Sequence, residues 1–181
     1  MKNTKSIILY LLSLVLLFPM ISCTQKTYAA DTIEDFFGDI VSITGDGFKF
    51  QNIDWLSNQS SIKDKVPDTI YNAELNRLET EQNITSDIET KILYYLQEDQ
   101  FITGEYIIIM NTKSDFEMFL AEVKKQAKEF LQDQQPMDNS LEDLSLEHPV
   151  SWEGINKSYF RIRCFEHEQD GRFTISFIVE L

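Results

Sequence analysis

The residues that could do chemistry in this chain are few. There are two histidines, His148 and His167, and two cysteines, Cys23 and Cys164. His167 follows Cys164 by three positions, and on a strand that spacing sends the side chains to opposite faces, so they cannot form a thiol–imidazole dyad. Glu166 and Glu168 share a face that His167 does not, which spoils a metal cluster there. Cys164 itself lies in an alternating apolar run and reads as a buried, inert thiol. The acidic stretch Asp133, Asp138, Glu142, Asp143 and Glu147 lacks the acid-and-glycine spacing of a calcium loop, and leucines interrupt it, so it reads as a solvated surface loop. No HExxH, GxSxG, GxxxxGK[ST] or GxGxxG occurs, and no pair of carboxylates stands out for hydrolytic work. The expected sets of catalytic, metal-binding and cofactor-binding residues are therefore empty. Arginine is the sharper signal. Three of the four arginines, Arg161, Arg163 and Arg172, fall near the C-terminus of an otherwise acidic chain. They would make a partner-binding patch for carboxylates, or else salt bridges to Glu166, Glu168 or the acidic loop.

Cys23 carries a different chemistry. It follows Lys2, Lys5 and an apolar run from Ile7 to Ile21, interrupted by Ser13 and Pro19. A run of 15 residues is shorter than the ~20 that a membrane-spanning helix needs, and it has the parts of a secretory signal. Met20-Ile21-Ser22-Cys23 resembles a bacterial lipobox, in which the cysteine is lipidated and becomes the first residue of the mature chain. The usual leucine three positions before the cysteine is here Met20. The competing cut lies after Ala29 or Ala30 and would release a soluble protein. On the lipobox reading, residues 1–22 are a signal peptide, 23–32 are the lipidated cysteine and a tether, and 33–181 are a single domain. Nine tether residues, Thr24 to Thr32, reach at most ~30 Å, so the domain would sit close to its membrane.

Without Lys2 and Lys5 the chain has 14 basic against 30 acidic residues, a net charge near −16. That charge speaks against nucleic acid and against peripheral binding to anionic lipid, and it permits a cationic protein partner. If Cys23 is lipidated, Cys164 has no partner for a disulfide and the fold must rest on packing.

The elements that position these residues follow from periodicity. Val41 and Ile43, then Gly45-Asp46-Gly47, then Phe48 and Phe50 read as a β-hairpin. Ser57 to Ser61 offers several caps for a short helix ending before Pro67. Residues 69–78 suit helix and strand equally. Ile88 to Leu96 alternates, although Ser86 and Glu89 suggest a helix cap; strand is the expectation, paired with Phe101 to Met110. Ser114 and Glu117 suggest the cap of a helix to about Asp133, with Phe116, Phe119, Leu120, Val123, Ala127, Phe130 and Leu131 on one stripe. Val150-Ser151-Trp152 reads as a short strand, and Ser158–Glu166 with Arg172–Leu181 as a hairpin turning at Asp170-Gly171.

Phe50, Ile53 and Trp55 resemble the Phe-x-x-Ile-x-Trp segment of small bacterial secreted and lipoprotein domains. Such domains look like the helix-plus-antiparallel-sheet modules of the β-lactamase inhibitor protein and of the small outer-membrane-assembly lipoproteins. Leu56-Ser57 replaces their Gly-Ser. The resemblance implies an antiparallel sheet, which agrees with the α+β class read from the pattern: an antiparallel sheet with two main helices on one face, arranged as two helix-plus-strands units without residue-level repetition. The expected role is a membrane-tethered, envelope-located lipoprotein that binds or assembles proteins. The alternatives are an inhibitor or immunity-type protein capturing a cationic secreted enzyme such as a lysozyme, and, last, a carboxylate-using hydrolase.

Overall fold

The computed structural model describes residues 36–181 except Asp46, Ser86, Asp87 and Asp133, and gives the backbone alone for residues 36, 39 and 82–85. The expected signal peptide, Cys23 and the tether lie outside the described residues. The chain opens with a short helix, α1 (Phe36–Ile40), that leads straight into β1 (Val41–Thr44) and β2 (Gly47–Phe50). These two strands form the expected hairpin, in register from Val41 opposite Phe50 to Thr44 opposite Gly47. Gly47 has a φ of 95°, and a Cβ there would stand 2.2 Å from Ser158 Oγ. Only glycine satisfies both the turn and the close approach.

Helix α2 (Gln59–Lys65) takes Asn58 as its cap: the Asn58 side chain accepts from the Ser61 amide at 2.9 Å. Beyond Pro67 come β3 (Ile70–Asn72) and β4 (Arg77–Thr85), so the ambiguous stretch is strand, turn and strand. Strands β5 (Ile88–Gln97) and β6 (Gln100–Met110) follow as a long hairpin. Of the suggested helix cap, Ser86 lies outside the described residues, while Ile88 and Glu89 are strand, paired with Met110 and Ile109 on one side and with β4 on the other. Alternating β-branched and aromatic residues fill a pleated surface between two neighbours better than a helix stripe. Glu98 and Asp99 make the hairpin turn with φ of 52° and 63°, the primed geometry that matches strand twist.

Helix α3 (Lys113–Phe130) starts before its expected cap. Thr112, extended at φ −128°, accepts from the Asp115 amide and donates its hydroxyl to the Asp115 carboxylate. Ser114 lies inside the first turn, so the Ser114/Glu117 box is replaced by Thr112/Asp115, the same spacing two residues earlier. The stripe buries Phe116, Phe119, Val123 and Ala127. A 3₁₀ turn at Leu141–Asp143 sits in the acidic loop and carries Leu144 into the core. The chain ends in β7 (Val150–Glu153), β8 (Tyr159–Glu166) and β9 (Phe173–Glu180).

The main sheet is antiparallel throughout, in the order β3-β4-β5-β6-β9-β8-β7. Helix α2 precedes β3 to β6 and α3 precedes β7 to β9, and the two halves join where β6 meets β9. This is the expected α+β arrangement of two helix-plus-strands units. One sheet face is covered. Phe37 of α1 meets Phe130, Phe160 and Phe177; Phe116 of α3 stacks on Phe173; Phe50 of β2 packs on Tyr94 and lies over Gly104, where a Cβ would be 2.2 Å from its ring. Ile62 of α2 joins the same core. Trp55 stacks on Phe101 and donates from Nε1 to the Phe48 carbonyl at 3.0 Å, which fixes the turn leaving the small hairpin.

Candidate functional site

The other face of the sheet has no helix or hairpin on it among the described residues. Strand alternation decides what it presents. From β4 come Arg77, Glu79 and Glu81; from β5, Glu89, Lys91, Leu93 and Tyr95; from β6, Thr103, Glu105, Ile107 and Ile109. Strand β9 gives Thr174, Ser176, Ile178 and Glu180, and β8 gives Tyr159, Arg161, Arg163 and Phe165. All four arginines of the chain stand on this face or at its rim, whereas of the lysines in the described residues only Lys91 does.

Glu105 is the centre of the face. It is 5% exposed. Its carboxylate accepts from Arg163 Nη2 at 2.8 Å, from Tyr95 Oη at 3.0 Å and from the Ser176 hydroxyl. Tyr95 Oη accepts in turn from Arg77 Nη1 at 3.3 Å, and Arg77 is paired with Glu79 at 2.9 Å. A chain of polar contacts thus runs from β4 to β8 across the strands. Burial, and then the Glu105 carboxylate, raise the Tyr95 phenol above its usual pKa, so it stays a donor. The guanidinium groups lie over aromatic rings, Arg77 at 5.6 Å from Tyr95 and Arg163 at 5.7 Å from Phe165, as cation–π contacts require.

The structure brings Arg161 and Arg163 together and sets Arg172 apart. Arg161 Nε donates to Ser151 Oγ at 3.1 Å and lies 3.7 Å from Glu180. Arg172, at the hairpin end, reaches Asp170 at 2.6 Å and Glu89 at 3.5 Å. None of the three takes Glu166 or Glu168. Arg172 and Arg161 keep partners within the hairpin, Asp170 and Glu180, whereas the order of strands brings Glu105 of β6 within reach of Arg163 and Glu89 of β5 within reach of Arg172. Only Arg161 touches the acidic loop, through Ser151, whose amide and hydroxyl bind Asp138.

Charge is balanced here. Five cations, Arg77, Lys91, Arg161, Arg163 and Arg172, face seven carboxylates, Glu79, Glu81, Glu89, Glu105, Glu153, Asp170 and Glu180. The face therefore holds little of the chain's net charge of −14.

Of the remaining candidates only His167 reaches this face, beside Thr174 and Phe165. Cys164 points into the core, and burial pushes its thiol up to about 12. His167 meets Thr174 Oγ1 at 2.8 Å, on the face away from Cys164. His148 is on the surface beside Ser145. A groove of about 280 Å³ runs between the end of α3 and the acidic loop, but Trp152 in its floor is stacked on Phe160 and belongs to the core. Among the described residues no three His, Cys, Asp or Glu side chains are grouped to hold a metal ion.

The sequence singles out Arg161, Arg163 and Arg172, and the structure places Glu105, Tyr95 and Arg77 in the same polar chain as Arg163. The available signal was a glutamate inside an otherwise apolar strand. Comparison with known proteins finds no matching family model, no matching curated protein and no matching solved structure.

Proposed function

We propose that this chain is an exported bacterial lipoprotein, held to the envelope membrane by lipid on Cys23, whose domain binds or assembles proteins through the helix-free face of its sheet. The observation that carries the reading is the gathering of every arginine on that face, with Tyr95, Tyr159 and Phe165 among them. Arginine and aromatic side chains are enriched, and lysine depleted, where proteins meet. Buried Glu105 supports it further. Removing a carboxylate from water costs several kcal/mol, and what it achieves here is to hold Arg163 and Tyr95 in fixed positions.

The anchor is tested by the mass of the mature N-terminus in a bacterial host. Diacylglycerol on Cys23, absent in Cys23→Ala, is expected; a chain starting at Ala30 or Asp31 contradicts it. The surface is tested by a photo-reactive residue placed in turn at Thr103 and at Met118, which is exposed on α3. Protein adducts are expected from position 103 and not from 118. The inhibitor-type alternative draws on the net charge near −16 of the chain without Lys2 and Lys5, nearly all of it off this face. It requires salt-sensitive binding to a cationic enzyme that charge changes on the open sheet face leave intact.

A further inference from the structure

We infer that the open face binds a second copy of the same chain, around a two-fold axis running along β6, a proposal that rests on the face being a contact surface. Strand β6 is the fourth of seven strands, so such an axis lays β4 over the partner copy's β8, β5 over its β9, and β6 over itself. Residues in one cross-strand row then meet the same row in reverse order.

The rows are self-complementary. In one, Glu79, Leu93, Glu105, Ile178 and Arg161 stand in sequence across the sheet, so Glu79 meets Arg161 and Leu93 meets Ile178, each contact made twice, with Glu105 at the axis. In the next, Glu81 meets Arg163, and Ile107 meets itself on the axis. In a third, Arg77 meets the Tyr159 ring and Tyr95 meets Glu180. The two Glu105 carboxylates face each other near the axis, each already held by its own Arg163, Tyr95 and Ser176.

Charge favours this occupant. Two copies of a chain carrying −14 repel each other, and repulsion is least across a face that is nearly neutral. Sheets pack face to face near 10 Å with roughly aligned strands, which this axis provides. The axis also fits a tether. Helix α1 lies on the covered side near Phe160, at the start of β8, and an axis parallel to the strands leaves both α1 helices at the same end. Two chains anchored in one membrane meet that condition, and confinement to the membrane raises their effective concentration.

The test is a cysteine on the axis. In native membranes, Ile107→Cys is expected to form a covalent dimer on mild oxidation, while Met118→Cys and the unmodified chain do not. Arg161→Glu in the Ile107→Cys background should cut the dimer about tenfold, the effect of inverting an interfacial charge pair, and adding Glu79→Arg should restore it to within about twofold. Circular dichroism on each variant separates loss of contact from loss of fold. Absence of crosslinking at 107 in folded protein overturns the dimer, as does equal crosslinking at 107 and 118, or failure of the double charge swap to restore it. If 107 does not crosslink to itself while the photo-reactive residue at 103 captures a different protein, the contact surface stands and the second copy does not. If neither position yields an adduct, both readings fall.

Discussion

The two faces of the sheet are built on opposite principles. The covered face is a ring-on-ring core: Phe160 alone touches Phe37, Phe48 and Trp152 and has no exposed surface. The open face is held by a polar chain through Glu105, with apolar residues only between its charged members. Packing of the first kind stabilises through area removed from water. A buried carboxylate network contributes little net stability and fixes side-chain positions instead. The first face makes the fold, and the second makes a surface with a defined pattern.

That contrast can be broken most severely at Phe160. Phe160→Ala is expected to cost about 3–5 kcal/mol of stability, as large-to-small changes in cores do, read as a drop in the urea midpoint. Arg163→Ala leaves Glu105 buried with two neutral donors and should cost about 1–3 kcal/mol, while Arg161→Ala, whose partner Glu180 is itself partly exposed, should cost under about 1 kcal/mol. Equal effects at 163 and 161 would show that Glu105 is not the organising group.

Smaller effects sharpen the picture of what frames the faces. Thr112→Ala should remove about 1 kcal/mol and Ser114→Ala less than about 0.5 kcal/mol, since Thr112 supplies the cap of α3. The smallest effect concerns pH at the edge strand β7. Burial works against ionisation of Asp138, but hydrogen bonds from the Asn139 and Ser151 amides and the Ser151 hydroxyl outweigh it and hold the carboxyl below its usual range. A carboxyl lowered in this way stabilises above its unfolded pKa, near 4, and loses that contribution as pH falls through the folded value. The protection factor of the Ser151 amide should therefore be flat from neutral pH to about 5 and fall below about 4.

Much of the covered face was legible. Phe160, Ile162 and Cys164 alternate, as do Phe173, Ile175, Phe177 and Val179, and all of them are buried as that parity requires. Parity also placed Arg161 and Arg163 on the opposite side. What the sequence withheld was the order of strands. Glu105 meets Arg163 only because β6 lies beside β9 and β9 beside β8, contacts between residues 58 positions apart. The pattern of Phe101 to Met110 marks a strand, but nothing local to Glu105 marks the partners that the strand order brings to it. Local signals misled in smaller ways. Ser114 has the spacing of a cap, yet Thr112 takes the role because the chain leaves β6 extended up to that residue. Residues 69–78 had no clear period because they hold a three-residue edge strand and a turn, too short to show one.

The central claim is that the open face is covered by protein in the envelope, and one comparison tests it directly. Lys91 lies on that face and Lys125 on the outer side of α3. Acetylation of both would be measured by mass spectrometry in native membranes and again after dilution in detergent. The account predicts that Lys91 is protected in membranes and becomes reactive on dilution, while Lys125 reacts equally in both. Equal reactivity of Lys91 in the two conditions would contradict it.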